Sequence, residues 1–425
     1  FMQELFGLTP EAVPLDWECD MFGHAHTLPG ILVRGGASRY YMCRSGVPEK
    51  PPVFWWEGPD TSRVLVVRDI SGYNDAIGPH VAANLLRFCG LTGLKEWMEV
   101  YGVGDHGGGP TRRDILRCRD MDTWPIYPQF RLATTRAFYE ALEKAGDKWP
   151  VLNQEVNCVF AGCYTSQSAI KKANRFGENF CLEAETAAVL ARRAVARAYP
   201  AEALRAAWIN VLFGQFHDIL PGSGVAWTRE YQLGLYQETA AKTNIIRTQS
   251  LRAVADAVDT SQAGGTAVTP VHGKESPALG AGVGRGTMQG GLSCATHLSD
   301  GPWPFVIFNA CAWQRHELVQ ATVWDVEADT PAHELRHKRF TVLGPDGARV
   351  PAQVVDTGDY WGHRFVDLVF PVSVASLGYA TYIVEEGECA AGDAGVCVRE
   401  HPPRHDTHQS TAPVLENDRL IVTFD

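Results

Sequence analysis

The hydrophobic period changes twice along the 425 residues, and no single motif constrains the fold as much. Up to about Thr111, short apolar runs alternate with turn signals, at residues 40–43, 53–56 and in Val64-Leu65-Val66-Val67. An unbroken Val-rich run predicts a strand covered on both faces, hence a parallel sheet. Residues 81–89 predict a helix, with Gly90 placed to stop it in the left-handed conformation. Residues 97–101 predict another strand, followed at once by Gly102-Val103-Gly104-Asp105-His106-Gly107-Gly108-Gly109. Residues 1–127 therefore read as the second half of an α/β barrel-like domain.

From 128 to 260 the chain turns to Ala, Glu, Arg and Leu, and 131–145, 183–198 and 202–213 carry helical spacing. Pro200 cannot continue a helix interior, so Tyr199-Pro200 predicts a joint between two helices of a bundle. Residues 261–301 are rich in Gly, Ser, Thr and Ala and predict a flexible linker. After them the period becomes two. Stretches 305–309, 318–324, 340–343, 365–370 and 379–384 alternate around turns such as Gly344-Pro345-Asp346-Gly347, the pattern of an antiparallel β-sandwich over 302–425. The expected class is multidomain, α/β then all-α then all-β. Both ends read as cut: the first residue is not Met, and 419–425 alternate as a strand with no partner in sequence.

With 45% apolar residues, a chain of this length can bury two or three cores. No run of about 18 apolar residues predicts a membrane span. The net charge of -11 argues against nucleic acid, whose binding comes largely from neutralising phosphates with Lys and Arg. Eleven cysteines with no Cys-x-x-Cys pair predict reduced thiols and a cytoplasmic setting. The oligomeric state is open, a homo-oligomer included.

Two clusters carry similar chemistry. Asp20-Met21-Phe22-Gly23-His24 lies near the start, and Gln215-Phe216-His217-Asp218-Ile219-Leu220-Pro221-Gly222-Ser223 lies far downstream. Each pairs a carboxylate with an imidazole, the donor types that hold zinc. Asp20 and Asp105 both follow predicted strands, so they would emerge at the carboxyl rim where barrel enzymes place their chemistry. Two carboxylates there can divide glycoside hydrolysis between a nucleophile and an acid/base. Taken alone, Asp20 reads equally as an Asx-type turn, the Asp105 loop as a turn or anion-holding loop, and His217 as a residue ending a helix.

Five blocks in order lift these residues above such readings: Asp20-x-Phe22-Gly23-His24 with Leu28-Pro29; Phe54-Trp55-Trp56-Glu57-Gly58; Tyr101-Gly102-x-Gly104-Asp105-x-Gly107-Gly108-Gly109-Pro110-Thr111; Gly162-Cys163-Tyr164-Thr165-Ser166-Gln167; and the 215–223 block. In them the chain resembles glycoside hydrolase family 38, the retaining α-mannosidases. The resemblance implies an α/β barrel-like catalytic domain, a three-helix middle domain and a β-sandwich region. It also implies that Asp20 is the nucleophile and a zinc ligand, that His217 is a second zinc ligand, and that Asp105 is the acid/base. Arg44 and Asp218 would contact substrate, an α-mannosyl oligosaccharide or mannoside.

One departure matters. The family's other two zinc ligands come from a His-x-Asp motif upstream of anything present here, and neither His24-Ala25-His26 nor His401, His405 and His408 replaces it. This chain holds half a zinc site, should bind the ion weakly by itself, and is expected to be inactive as a fragment. Two other readings remain: a mannoside-binding protein with an incomplete site, and another zinc-dependent hydrolase such as a deacetylase.

Overall fold

The computed structural model describes residues 5–9, 12–44, 50–104, 107–156, 160–260, 302–324, 334–360, 363–387, 397–398, 414–416 and 419–423. The chain divides into two compact units, 1–176 with 210–236 and 177–209 with 237–425.

The first unit is organised by a five-stranded sheet. Its strands are β1 (Leu15–Glu18), β2 (Arg39–Met42), β3 (Val53–Glu57), β4 (Arg63–Arg68) and β5 (Val151–Leu152), in the spatial order β1-β2-β4-β3-β5. The Val-rich run of β4 is covered on both faces, as its composition predicts. Leu65 and Val67 join Tyr41, Phe88, Tyr139 and Trp149 in one core, whereas Val64 and Val66 join Tyr40, Phe54 and Trp56 in another. β1, β2 and β4 are mutually parallel, but β3 runs antiparallel to β4. The five residues from Gly58 to Ser62 close a hairpin and are too few for the crossover that a parallel pair needs.

Three local expectations are corrected. Helix α2 (Val81–Thr92), which follows the short α1 (Leu28–Arg34), runs through Gly90 and ends at Gly93, whose φ of +72° is the left-handed cap. Residues 97–101 form no strand: Tyr101 makes a single bridge to Asp75, while Trp97, Met98 and Val100 point into the first core. The apolar pattern there reports burial without a ladder. After α3 (Arg112–Met121), helix α4 (Thr135–Lys144) packs Phe138, Tyr139 and Leu142 against the sheet, although its sequence pattern resembles that of the helices beyond it.

Three long helices follow, α5 (Ser168–Val195), α6 (Ala201–Gly214) and α7 (Ala226–Ala255), and each contributes to both units. α5 and α6 part at Tyr199-Pro200, as the proline dictates. In the second unit Ala184, Ala188, Leu204 and Ile246 pack together, and Trp208 Nε1 donates to Glu185 at 2.9 Å.

The rest of the second unit contains a sheet of β6 (Trp303–Asn309), β8 (Phe340–Leu343), β9 (Arg349–Val350) and β12 (Gly378–Glu386). A second sheet joins β7 (Arg315–Trp324), β10 (Gln353–Tyr360) and β11 (His363–Val374). Both are antiparallel, and Val323, Leu368 and Phe370 of one share a core with Trp303, Val342 and Val384 of the other. β13 (Cys397–Val398), β14 (Val414–Glu416) and β15 (Ile421–Thr423) form a third sheet, so the terminal stretch does find a partner, β14. The segment 261–301 lies outside the described residues. Among the described residues no helix is long and apolar enough to cross a membrane.

Candidate active site

β1 and β2 pair in register as far as Glu18 and Met42, and Asp20 and Arg44 each lie two residues further on. They meet there: Arg44 Nε donates to Asp20 Oδ1. The other carboxylate oxygen, Oδ2, stands 3.6 Å from His217 Nε2, bringing together two groups 197 positions apart in sequence. Asp218 Oδ2 lies 3.8 Å from the same imidazole nitrogen, and Asp218 Oδ1 accepts from Ser223 Oγ at 2.9 Å.

Aromatic rings set these groups. The Arg44 guanidinium carbon lies 5.7 Å from the Phe22 ring centroid and 5.4 Å from that of Phe160, within cation–π range of both. Phe22 also meets Phe160 and His217 edge-on, and Phe216 packs beside the imidazole at 4.2 Å. The segment carrying His217 follows the end of α6 and is fastened from behind. Ser166 Oγ donates to the Pro221 carbonyl at 2.7 Å, and Lys171 Nζ to that of Leu220 at 2.9 Å. Tyr164 Oη donates to the Phe22 carbonyl at 3.4 Å, so the fourth sequence block touches both the first and the fifth.

Tyr73 is a site residue that the sequence reading missed. Its phenol hydrogen-bonds with Asp20 beside Arg44, and burial, then this hydrogen bond and the Asp20 charge, raise its pKa. For Arg44, burial opposes the charge, but the Asp20 hydrogen bond and charge outweigh it and hold the guanidinium above its ordinary value. A signal existed, because Tyr73 follows the carboxyl end of β4 as Asp20 follows β1.

His24 lies behind the site, 1% exposed, with Nδ1 2.5 Å from the Tyr40 hydroxyl. Burial pushes its pKa down to about 4, helped by the Lys50 charge and opposed by a backbone hydrogen bond at Arg44. His26 Nε2 lies 3.1 Å from the Glu57 carbonyl. Neither imidazole joins the Asp20 group. Asp105, His401, His405 and His408 lie outside the described residues. Val103 and Gly109 form a bridge, the Gly102 N–H donates to the Asp75 carbonyl at 3.2 Å, and the Asp75 carboxylate is paired with that of Glu99. Asn84 Nδ2 donates to both, and Trp97 Nε1 to Glu99 at 2.7 Å. Burial, then the hydrogen bond to Asp75, raises Glu99 to about 7.

Residues 1–157 match the family model described as Glycosyl hydrolases family 38 N-terminal domain, and 159–254 match that of the Alpha mannosidase middle domain. Together they account for more than half of the chain, which belongs to glycoside hydrolase family 38. Among individual relatives, alpha-mannosidase 2C1 of Homo sapiens is 28% identical over 260 residues, covering 58% of this chain and 24% of its own length. Alpha-mannosidase G of Dictyostelium discoideum is 29% identical over 244 residues, covering 55% of this chain and 22% of its own. The crystal structure of an alpha-mannosidase from Enterococcus faecalis V583 superimposes with a TM-score of 0.65 over 93% of this chain and 46% of that one. At 17% identity, this last likeness speaks for the fold. The chain spans about a quarter of the length of the curated relatives it matches.

Proposed function

We propose that this chain carries the nucleophile side of a retaining, zinc-assisted α-mannosidase site that removes terminal mannosyl residues from oligosaccharides or mannosides. The observation that carries the reading is Asp20 held between Arg44 on one oxygen and His217, 3.6 Å away, on the other. On this reading the first sheet belongs to an α/β barrel-like catalytic domain and the three long helices to a middle-domain bundle. A cytoplasmic setting accompanies it.

Asp20 Oδ2 and His217 Nε2 are the oxygen and nitrogen donors zinc prefers, close enough to be two corners of one tetrahedral site. Among the described residues no group of three or more His, Cys, Asp and Glu is arranged to hold an ion. The remaining donors must come from a segment such as the family's His-x-Asp motif. A bound zinc ion would supply positive charge that gathers vicinal sugar hydroxyls and tempers the charge of Asp20.

In the first step an Asp20 oxygen bonds to the anomeric carbon as the glycosidic C–O bond breaks, and Asp105 gives its proton to the leaving oxygen. In the second, Asp105 takes a proton from water, whose oxygen displaces Asp20 and restores the starting configuration. Arg44, fixed between two rings, holds Asp20 through its donated hydrogen bond and aims it. Asp218 offers a sugar hydroxyl its Oδ2, its other oxygen being held by Ser223. Trapping with a mechanism-based fluoro-mannoside and peptide mapping should label Asp20. A label on another residue, or a product of inverted configuration, would overturn the assignment. Mannoside binding without hydrolysis by the full-length protein would favour the binding-protein reading, to which the two-donor metal set gives some weight.

A further inference from the structure

A cavity of about 390 Å³ opens between β3, β4 and the end of α4, lined by Trp55, Arg63, Leu65, Glu143, Asp147 and Trp149. Its volume falls within the roughly 300–1,000 Å³ of small-molecule sites. It lies at the other end of the sheet from Asp20. Arg39 and Arg63 begin β2 and β4, whereas Arg44 and Tyr73 follow the finish of those same strands.

We propose that this cavity is a second, non-catalytic saccharide site that takes one neutral hexopyranose unit. The half-buried Trp55 offers flat apolar surface beside the buried Trp149 and Leu65, and aromatic faces carry a negative quadrupole that suits the C–H face of a sugar ring. Glu143 and Asp147 supply hydroxyl acceptors at the rim. Each of these charged side chains already has a hydrogen-bond partner, and the two arginines are ion-paired. Arg39 grips Glu143 through two bonds of 2.9 Å, Arg63 Nε donates to Glu57 at 2.6 Å, and Asp147 Oδ1 accepts from Trp55 Nε1 at 2.7 Å.

That pairing selects the ligand class. An anionic ligand would find no bare cation and a cationic one only Asp147, whereas a polyol can use the lone pairs left over on the hydrogen-bonded carboxylates. The same bonds fix the side chains before a ligand arrives, which lowers the ordering cost of binding. Lys148 stacks over Trp149 at 4.9 Å, leaving the cation–π role on that ring already filled. A quaternary ammonium ligand, the other occupant that two indoles and two acids suggest, would compete with it.

The test is titration of the ¹⁵N-labelled protein with methyl α-D-mannopyranoside, following the indole N–H signals of Trp55 and Trp149. Both should move saturably with a Kd on the order of millimolar. Asp147→Ala, a change at an exposed position, should weaken binding about tenfold through loss of a charge-assisted acceptor. Trp55→Leu should abolish the response at Trp149. Signals that stay still up to saturation of the cleft, that move with tetramethylammonium instead of the sugar, or that move undiminished in Asp147→Ala would each overturn the proposal. The readout involves no hydrolysis, so it stands or falls separately from the mannosidase reading.

Discussion

Lowering the pH from about 7 to about 4 charges a histidine that the fold holds neutral. His24 is 1% exposed and its folded pKa lies near 4, against 6.5 for the ordinary imidazole. Across that interval the unfolded chain binds the proton and the folded chain does not, so stability is complete above 6.5 and falls as the pH falls. At about 1.4 kcal/mol per pH unit, the gap amounts to about 3 kcal/mol lost by pH 4. That is a large share of the roughly 5–15 kcal/mol that holds a domain folded. Urea unfolding at several pH values, wild type against His24→Asn, isolates the contribution, because other titrating groups are common to both. The wild type should lose about 3 kcal/mol more than the variant. NMR titration of the His24 Cε1–H gives the folded value directly. An imidazole that titrates near 6.5, or two parallel stability profiles, would refute the reasoning. The same residue adjoins the candidate site: His24 exchanges backbone hydrogen bonds with Val156 at 3.0 and 3.1 Å, and Asp20 sits on the turn between that anchor and β1.

Three other perturbations follow from the geometry. In the full-length protein, Arg44→Met leaves Asp20 without its charged donor, which is worth about 1.5–3 kcal/mol, so kcat/KM on an aryl α-mannoside should drop about 10- to 100-fold; Arg44→Lys should recover only part of it, having lost the planar fork that stacks between Phe22 and Phe160. Glu99, raised to about 7, contributes stability that is fully present below 4.5 and lost as the pH rises through 7; Glu99→Gln should flatten that decline in urea midpoints compared between pH 4.5 and about pH 8. Gly102 has φ of +131°, and a Cβ there would stand 2.7 Å from the Gly109 carbonyl carbon and 2.9 Å from Pro110 N, so Gly102→Ala should cost at least about 1–3 kcal/mol in a thermal melt and disturb the Asp105 loop.

The two-faced burial of β4 was legible because four consecutive apolar residues leave no polar face to turn outward. The antiparallel β3 was not, since a Val53-Phe54-Trp55-Trp56 run reads the same in either direction and only the five-residue link to β4 gives the sense. The same blindness turned residues 97–101 into a strand. Gly90 drew the helix end three residues early, because composition marks a permissive residue without saying which one adopts the left-handed angle. Asp20, His217 and Asp218 were named from their motifs and Arg44 from the family resemblance alone, and the structure brings the four side chains together. Tyr73 and Phe160 were missed: neither sits in a chemically distinctive pattern, and a phenylalanine that brackets a guanidinium looks like any core aromatic until the chain is folded.

Asp20 and Arg44 each stand two positions past a matched pair in neighbouring parallel strands, so their separation is dictated by interstrand spacing and owes nothing to the stretch joining them. The link between the strands beyond His24 can therefore change in length while the ion pair keeps its geometry, as long as Phe22 and His24 keep their contacts. A slip of one residue in either strand is different in kind. It would turn one of the two side chains to the opposite side of the sheet and separate the charges completely.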